Sequence, residues 1–212
     1  MKGKVGMNGA AGEKQEAEKR IKEYIQASSM SLSKKEEQDF KELVIHNEET
    51  AKKVFRGSNH TGKAYILIFL NSQGKGADIA KEEAAVWAGQ MEFINSNPLE
   101  ERAFRSWLSG ETDTMPETMP ANKYIMGFPH RKNVELCYLS KVCTFTERLI
   151  VYGIKRGYVD IVRGPVKEMM REIGVPYAHS FLEHTIRTYQ LSEEDIMQMY
   201  SAIYAISGNA KA

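Results

Sequence analysis

Arg148, Tyr152, Lys155 and Arg156 stand at i, i+4, i+7 and i+8, a spacing that gathers all four on one side of a helix. Tyr158 and Arg163 follow within the same sixteen positions. Guanidinium and ammonium groups interleaved with aromatic rings suit an extended single strand, because cations neutralise phosphates while rings offer surfaces on which bases stack. The stretch also lies in the basic part of the chain. Residues 123–171 carry ten Lys or Arg against four Asp or Glu, whereas residues 64–122 carry four against nine and residues 172–212 two against five. With a formal net charge of only +1, attraction to a polyanion is a local property of this belt rather than a general stickiness. A solvated face neutralised in space by the flanking acids is the alternative for the same pattern.

Other chemistry does not assemble. Residues 57–63 spell G-S-N-H-T-G-K, which satisfies the GxxxxGK of phosphate-cradling loops. A working loop follows a strand and carries Ser or Thr after its lysine to hold magnesium. Here a helical pattern precedes it and Ala64 takes the metal-ligand place, so an ordinary turn is expected. The five histidines (46, 60, 130, 179 and 184) form no HExxH or other ligand set, and His179 and His184 are five apart, on different helix faces. Cys137 and Cys143 fit neither a CxxC knuckle nor a disulfide framework and read as small buried residues in a reducing compartment. Glu193 and Glu194 read as helix N-terminal charge. No catalytic residue, metal ligand or cofactor is assigned, and a binding protein rather than an enzyme is expected.

The elements that position the basic face are helical. Residues 1–12 are Gly, Ala and Lys-rich without periodicity, and residues 13–26 form a charged helix with a thin apolar stripe of Ala17, Ile21, Tyr24 and Ile25. That stripe calls for a partner surface, either the chain's own core or a neighbouring subunit. The opening residues hold two lysines but no apolar stretch, so no secretory leader is expected, and no apolar run approaches the ~20 residues that cross a bilayer. Ser33 and Glu36 have capping-box spacing ahead of a helix running to about Phe55. The run Y-I-L-I-F-L at 65–70 has strand propensity but no strand partner, so a buried helix is expected. Further helices are expected at 77–95, 99–109, 133–155, 158–173, 177–188 and 192–206, with an acidic, Pro-bearing loop at 110–122. The fold class expected is mainly α.

One known family shares a pattern with the C-terminal half. Tyr177, Ala178, Phe181, Glu183, Thr185, Arg187, Thr188, Glu194, Met197, Gln198, Met199 and Ala202 fall without a gap on a Y-A-F-D-F, E-x-T, basic-Thr, M-Q-M-x-x-A pattern, and Thr146, Arg148 and Ile150 on an upstream T-x-R-x-I. This resembles the coat-protein core of flexuous filamentous plant viruses, the potyvirus group above all. Weaker echoes lie at residues 94–98 and 107–111, so about residues 90–205 can be laid along the family core. The chain departs from the pattern at His179 and Ser180, where the family has Phe and Asp, and in a shorter interval between Arg148 and Tyr177.

The resemblance implies a helical globular core at 31–206 between flexible arms, 1–30 and 207–212, with subunits joined into a helical filament through the N-terminal arm. It implies a virion component, made in the host cytoplasm, that packages single-stranded RNA and has no membrane partner. Arg148 would neutralise phosphate, Tyr152, Lys155 and Arg156 would extend the site, Ser96 would hydrogen-bond the RNA, and Ser180 would replace the family's Asp. A helical RNA-binding nucleoprotein that forms no filament, and a helical protein-interaction domain without nucleic acid, are the two alternatives.

Overall fold

The computed structural model describes residues 7–28, 32–121, 145–172 and 175–208. Ten helices occupy them and no strand is present among the described residues, so the fold is mainly α. The chain divides into two units, residues 1–79 and 80–212.

In the first unit, α1 (Met7–Ser28) packs on α2 (Lys34–His46), α3 (Glu48–Gly57) and α4 (His60–Asn71). Its thin stripe is the contact: Ala17, Ile21 and Ile25 are all buried, and Tyr24 stacks on Phe40 at 5.1 Å between ring centroids. Residues 17–28 are therefore held in the first unit, whereas residues 11–16 of the same helix are exposed. A stripe too narrow to hold a lone helix is satisfied here by the chain's own core. The capping box forms at α2, with Ser33 N–H donating to Glu36 Oε2 at 2.8 Å and Glu36 N–H to Ser33 Oγ at 3.3 Å. Where one helix was expected to reach Phe55, Asn47 (φ −120°, ψ 47°) separates two.

The run at 65–70 is helical as expected, with Ile66, Leu67, Phe69 and Leu70 buried in α4. Asn59 caps this helix, its side chain accepting from Gly62 N–H at 2.9 Å. Gly62 and Lys63 of the GxxxxGK spelling thus lie inside a helix, in place of a phosphate loop. The glycine has a packing reason, since a Cβ built at 62 would sit 2.6 Å from Ile25 Cγ2. Only a hydrogen at this position lets α1 lie so close.

The division between units falls within α5 (Ala77–Gly89). The second unit continues with α6 (Pro98–Ser109), α7 (Phe145–Lys155), α8 (Val159–Glu172), α9 (Val175–Tyr189) and α10 (Glu193–Gly208). The helix expected over 77–95 ends at Gly89, and Arg105 on α6 donates to the carbonyls of Ala88 and Met91 around that end. Asn97 caps α6, and Gly110, at φ +78°, closes it in the left-handed conformation that glycine adopts without strain. Ser192 and Asp195 cap α10 reciprocally, each bond 3.1 Å.

α7 is the axis of this unit. Every residue from Phe145 to Ile154 is buried, with α6, α8, α9 and α10 packed around it. From the C-terminal pattern, Ala178, Phe181, Thr185 and Met199 are buried, whereas Met197 is 67% exposed. It lies two positions from buried Met199, a step of about 200° around a helix, and so points away from the core. Cys137, Cys143 and the expected helical turns at 133–144 lie outside the described residues, as do 209–212 of the expected C-terminal tail.

Candidate nucleic-acid interface

Helical spacing shows which side chains share a side, but it does not say whether that side meets water. On α7 it largely does not, and this reshapes the basic constellation. Arg148 is 7% exposed and turned inward. Its Nη1 donates to the carbonyls of Trp107 (3.0 Å) and Thr112 (2.6 Å), and its Nη2 to Asp113 Oδ1 at 2.7 Å. The guanidinium carbon lies 4.5 Å from the Trp107 ring centroid, the geometry of a cation over an aromatic face. The indole N–H in turn donates to the Arg148 carbonyl at 3.3 Å. Arg148 beside Asp113 holds that carboxyl below the usual carboxylate range.

Tyr152 is fully buried, edge-on to Phe104 at 5.0 Å and stacked with Tyr158 at 5.9 Å. Its hydroxyl has no hydrogen-bond partner, and burial, aided by Tyr158, pushes the phenol up to about 12. Tyr152 as an open platform for a base is thus corrected: the ring is core. Tyr158, 38% exposed, is the ring of this pair that reaches solvent.

Lys155 and Arg156, at the C-terminal end of α7, are exposed as expected. Lys155 pairs with Asp195 at 2.8 Å, and Arg156 Nε donates to the Pro116 carbonyl at 3.1 Å. Ser96 donates to Glu101 at the start of α6, and Ser180 is exposed on α9. The structure therefore brings Arg148 and Arg156 to one loop, residues 110–121, with Lys155 beside them in sequence. Neither Ser96 nor Ser180 makes a hydrogen bond to these cations among the described residues.

That loop is acidic, with Glu111, Asp113 and Glu117 and no Lys or Arg. It is tied down at both ends: Glu111 N–H donates to the Ser106 carbonyl at 3.0 Å, and Ile94 N–H to the Ala121 carbonyl at 2.9 Å. Met115 and Met119 pack against the core of the second unit. The composition of residues 110–122 marks an acidic loop, but nothing in it names Arg148 as the partner of Asp113.

A second polar cluster escapes sequence reasoning altogether. The Glu147 side chain is 1% exposed, and its Oε1 accepts from His184 Nδ1 at 2.7 Å. Its Oε2 is buried with no partner. Thr185 Oγ1 donates to the Phe181 carbonyl at 3.0 Å and lies 3.5 Å from Glu147 Oε1. Glu147 and His184 are far apart in sequence, so no local spacing signals their meeting. No group of three or more potential metal-ligating side chains occurs among the described residues. None of the described helices is long and apolar enough to cross a membrane.

No family model matches the chain, and neither a curated protein nor a solved structure shows significant similarity to it.

Proposed function

We propose that this chain is a coat protein or nucleoprotein that polymerises into a helical filament and packages single-stranded RNA, as a virion component made in the host cytoplasm. The observation that carries the reading is the convergence of Arg148 and Arg156 on one loop edge, with exposed Lys155 next to Arg156. Exposed Lys155 and Arg156 suit sequence-blind contact with phosphates and exposed Tyr158 supplies a ring beside them, while buried Arg148 holds the loop at their edge. The resemblance to the flexuous filamentous coat proteins agrees with this site, because its T-x-R-x-I arginine is Arg148. It is supported also by the burial of Ala178, Phe181, Thr185 and Met199, four positions of the shared pattern, although Met197 of the same pattern is exposed.

Because Ala17, Ile21 and Ile25 are used inside the first unit, self-association in this reading draws on other surfaces than that stripe. Negative-stain microscopy of the purified protein with and without single-stranded RNA tests assembly and partner together. Filaments whose formation or length depends on RNA are expected. Salt-dependent RNA binding without filaments leaves a nucleoprotein that does not polymerise, and neither binding nor filaments overturns the reading.

A further inference from the structure

Arg148 is already committed to acceptors of its own chain. Its Nη1 is committed to two main-chain carbonyls, and its plane is held over Trp107. The acceptor on Nη2 differs in kind. Asp113 Oδ1 belongs to a side chain that is 97% exposed, whereas the arginine side chain it meets is 8% exposed. Turning that carboxylate into water costs no packing, and it leaves both carbonyl bonds and the stacked ring in place. The donor on Nη2, held in place by those contacts, suits a phosphate oxygen as well as the carboxylate oxygen it now meets.

Resting on the RNA-binding reading above, we propose that Asp113 is an internal phosphate surrogate: it occupies Arg148 in the free protein and is displaced by one phosphate of the incoming strand. The contact is autoinhibitory in two ways. It fills the edge that a phosphate needs, and it places a negative charge beside the path of a polyanion. Glu117 is a natural control, since it lies on the same loop with the same charge, is exposed, and makes no hydrogen bond or ion pair with Arg148. The carbonyls of Met115 and Pro116 already serve Arg156, so the loop would stay anchored when Asp113 leaves.

The test is fluorescence anisotropy with a labelled oligouridylate at physiological ionic strength, comparing the full-length protein with its Asp113→Asn, Asp113→Ser and Glu117→Gln variants. Each neutralises one charge of the loop, so a difference between positions 113 and 117 reads the cations that face Asp113, Arg148 through its hydrogen bond and Lys81 at longer range. Both Asp113 variants should bind more tightly than Glu117→Gln by about fivefold or more, the low end of typical coupling between competing events. Circular dichroism melts establish that each variant is folded. Binding by the parent protein with Asp113 variants no tighter than Glu117→Gln overturns the surrogate and leaves the RNA-binding reading standing. No binding by any of the four proteins overturns both.

Discussion

Replacing Arg148 by Ala should destabilise the second unit rather than only weaken RNA binding. Two carbonyls, those of Trp107 and Thr112, lose their charged donor at once. Hydrogen bonds to charged groups contribute about 1.5–3 kcal/mol each, and a desolvated cation over an indole about 2 kcal/mol. One guanidinium serves all of these contacts, so they do not add, and a net loss of about 3 kcal/mol is expected from the two carbonyls left without their donor. The exposed Asp113 carboxylate contributes little to that figure. Urea unfolding followed by tryptophan fluorescence is the assay, because both tryptophans, Trp87 and Trp107, lie in residues 80–212 and report that unit. With a slope of about 1–3 kcal/mol per molar urea, the midpoint should fall by at least about 1 M at unchanged slope. An unmoved midpoint would refute the reasoning, since it would mean that the arginine is as dispensable as a surface cation.

In the same assay Phe181→Ala should cost about 3–5 kcal/mol, whereas Met197→Ala should lie within about 0.5 kcal/mol of the parent protein; equal effects would contradict their burial. Ser33→Ala removes the α2 cap and should lower stability by about 1 kcal/mol, detected as a lower melting temperature of the first unit. Glu18 is held down to about 2 by Lys22 and Lys53, so its folded-state value lies below its unfolded one. Its stabilising contribution is present above about pH 4.3 and is lost as pH falls toward 2; melting curves of Glu18→Gln and the parent protein should converge in that acid window and separate slightly above it. Deleting residues 1–30 should destabilise the first unit by several kcal/mol, since Ile21 and Ile25 each bury a side chain whose transfer is worth about 1.5–3 kcal/mol; an unchanged melting profile would show that α1 is dispensable.

Much of the fold is legible along the chain because helices announce themselves locally. Ser33 with Glu36 marks the start of α2, and the apolar run at 65–70 lacks any strand to pair with. What does not show is which surface a helix turns to its neighbours. The stripe of Ala17, Ile21 and Ile25 states that α1 needs a partner, yet it cannot say whether that partner is its own chain or another. On α7 the same limit misplaces Tyr152: its spacing with Arg148 is right, but the shared side is core. Of the basic positions that share the helical spacing, Lys155 and Arg156 are exposed as their place at the helix end suggests, whereas the spacing gives no sign that Arg148 is buried. Asp113, Thr112 and Trp107 were not, because their contacts with Arg148 span more than thirty positions and carry no periodic signal.

Gly62 shows how a spelling can be kept by geometry alone. Because a Cβ there would press on the branched carbon of Ile25, the two positions are mutually constrained across nearly forty residues. Their substitutions should therefore behave as a suppressor pair: Gly62→Ala is harmful beside isoleucine, whereas Ile25→Ala, itself a cavity, opens the room that alanine at 62 takes up. A selection that randomised both positions would recover them in matched sizes, large with small. The G and K of that motif would then drift independently, the glycine following the packing of α1 while the lysine, its ammonium 5.3 Å from the Phe55 ring centroid, followed α3.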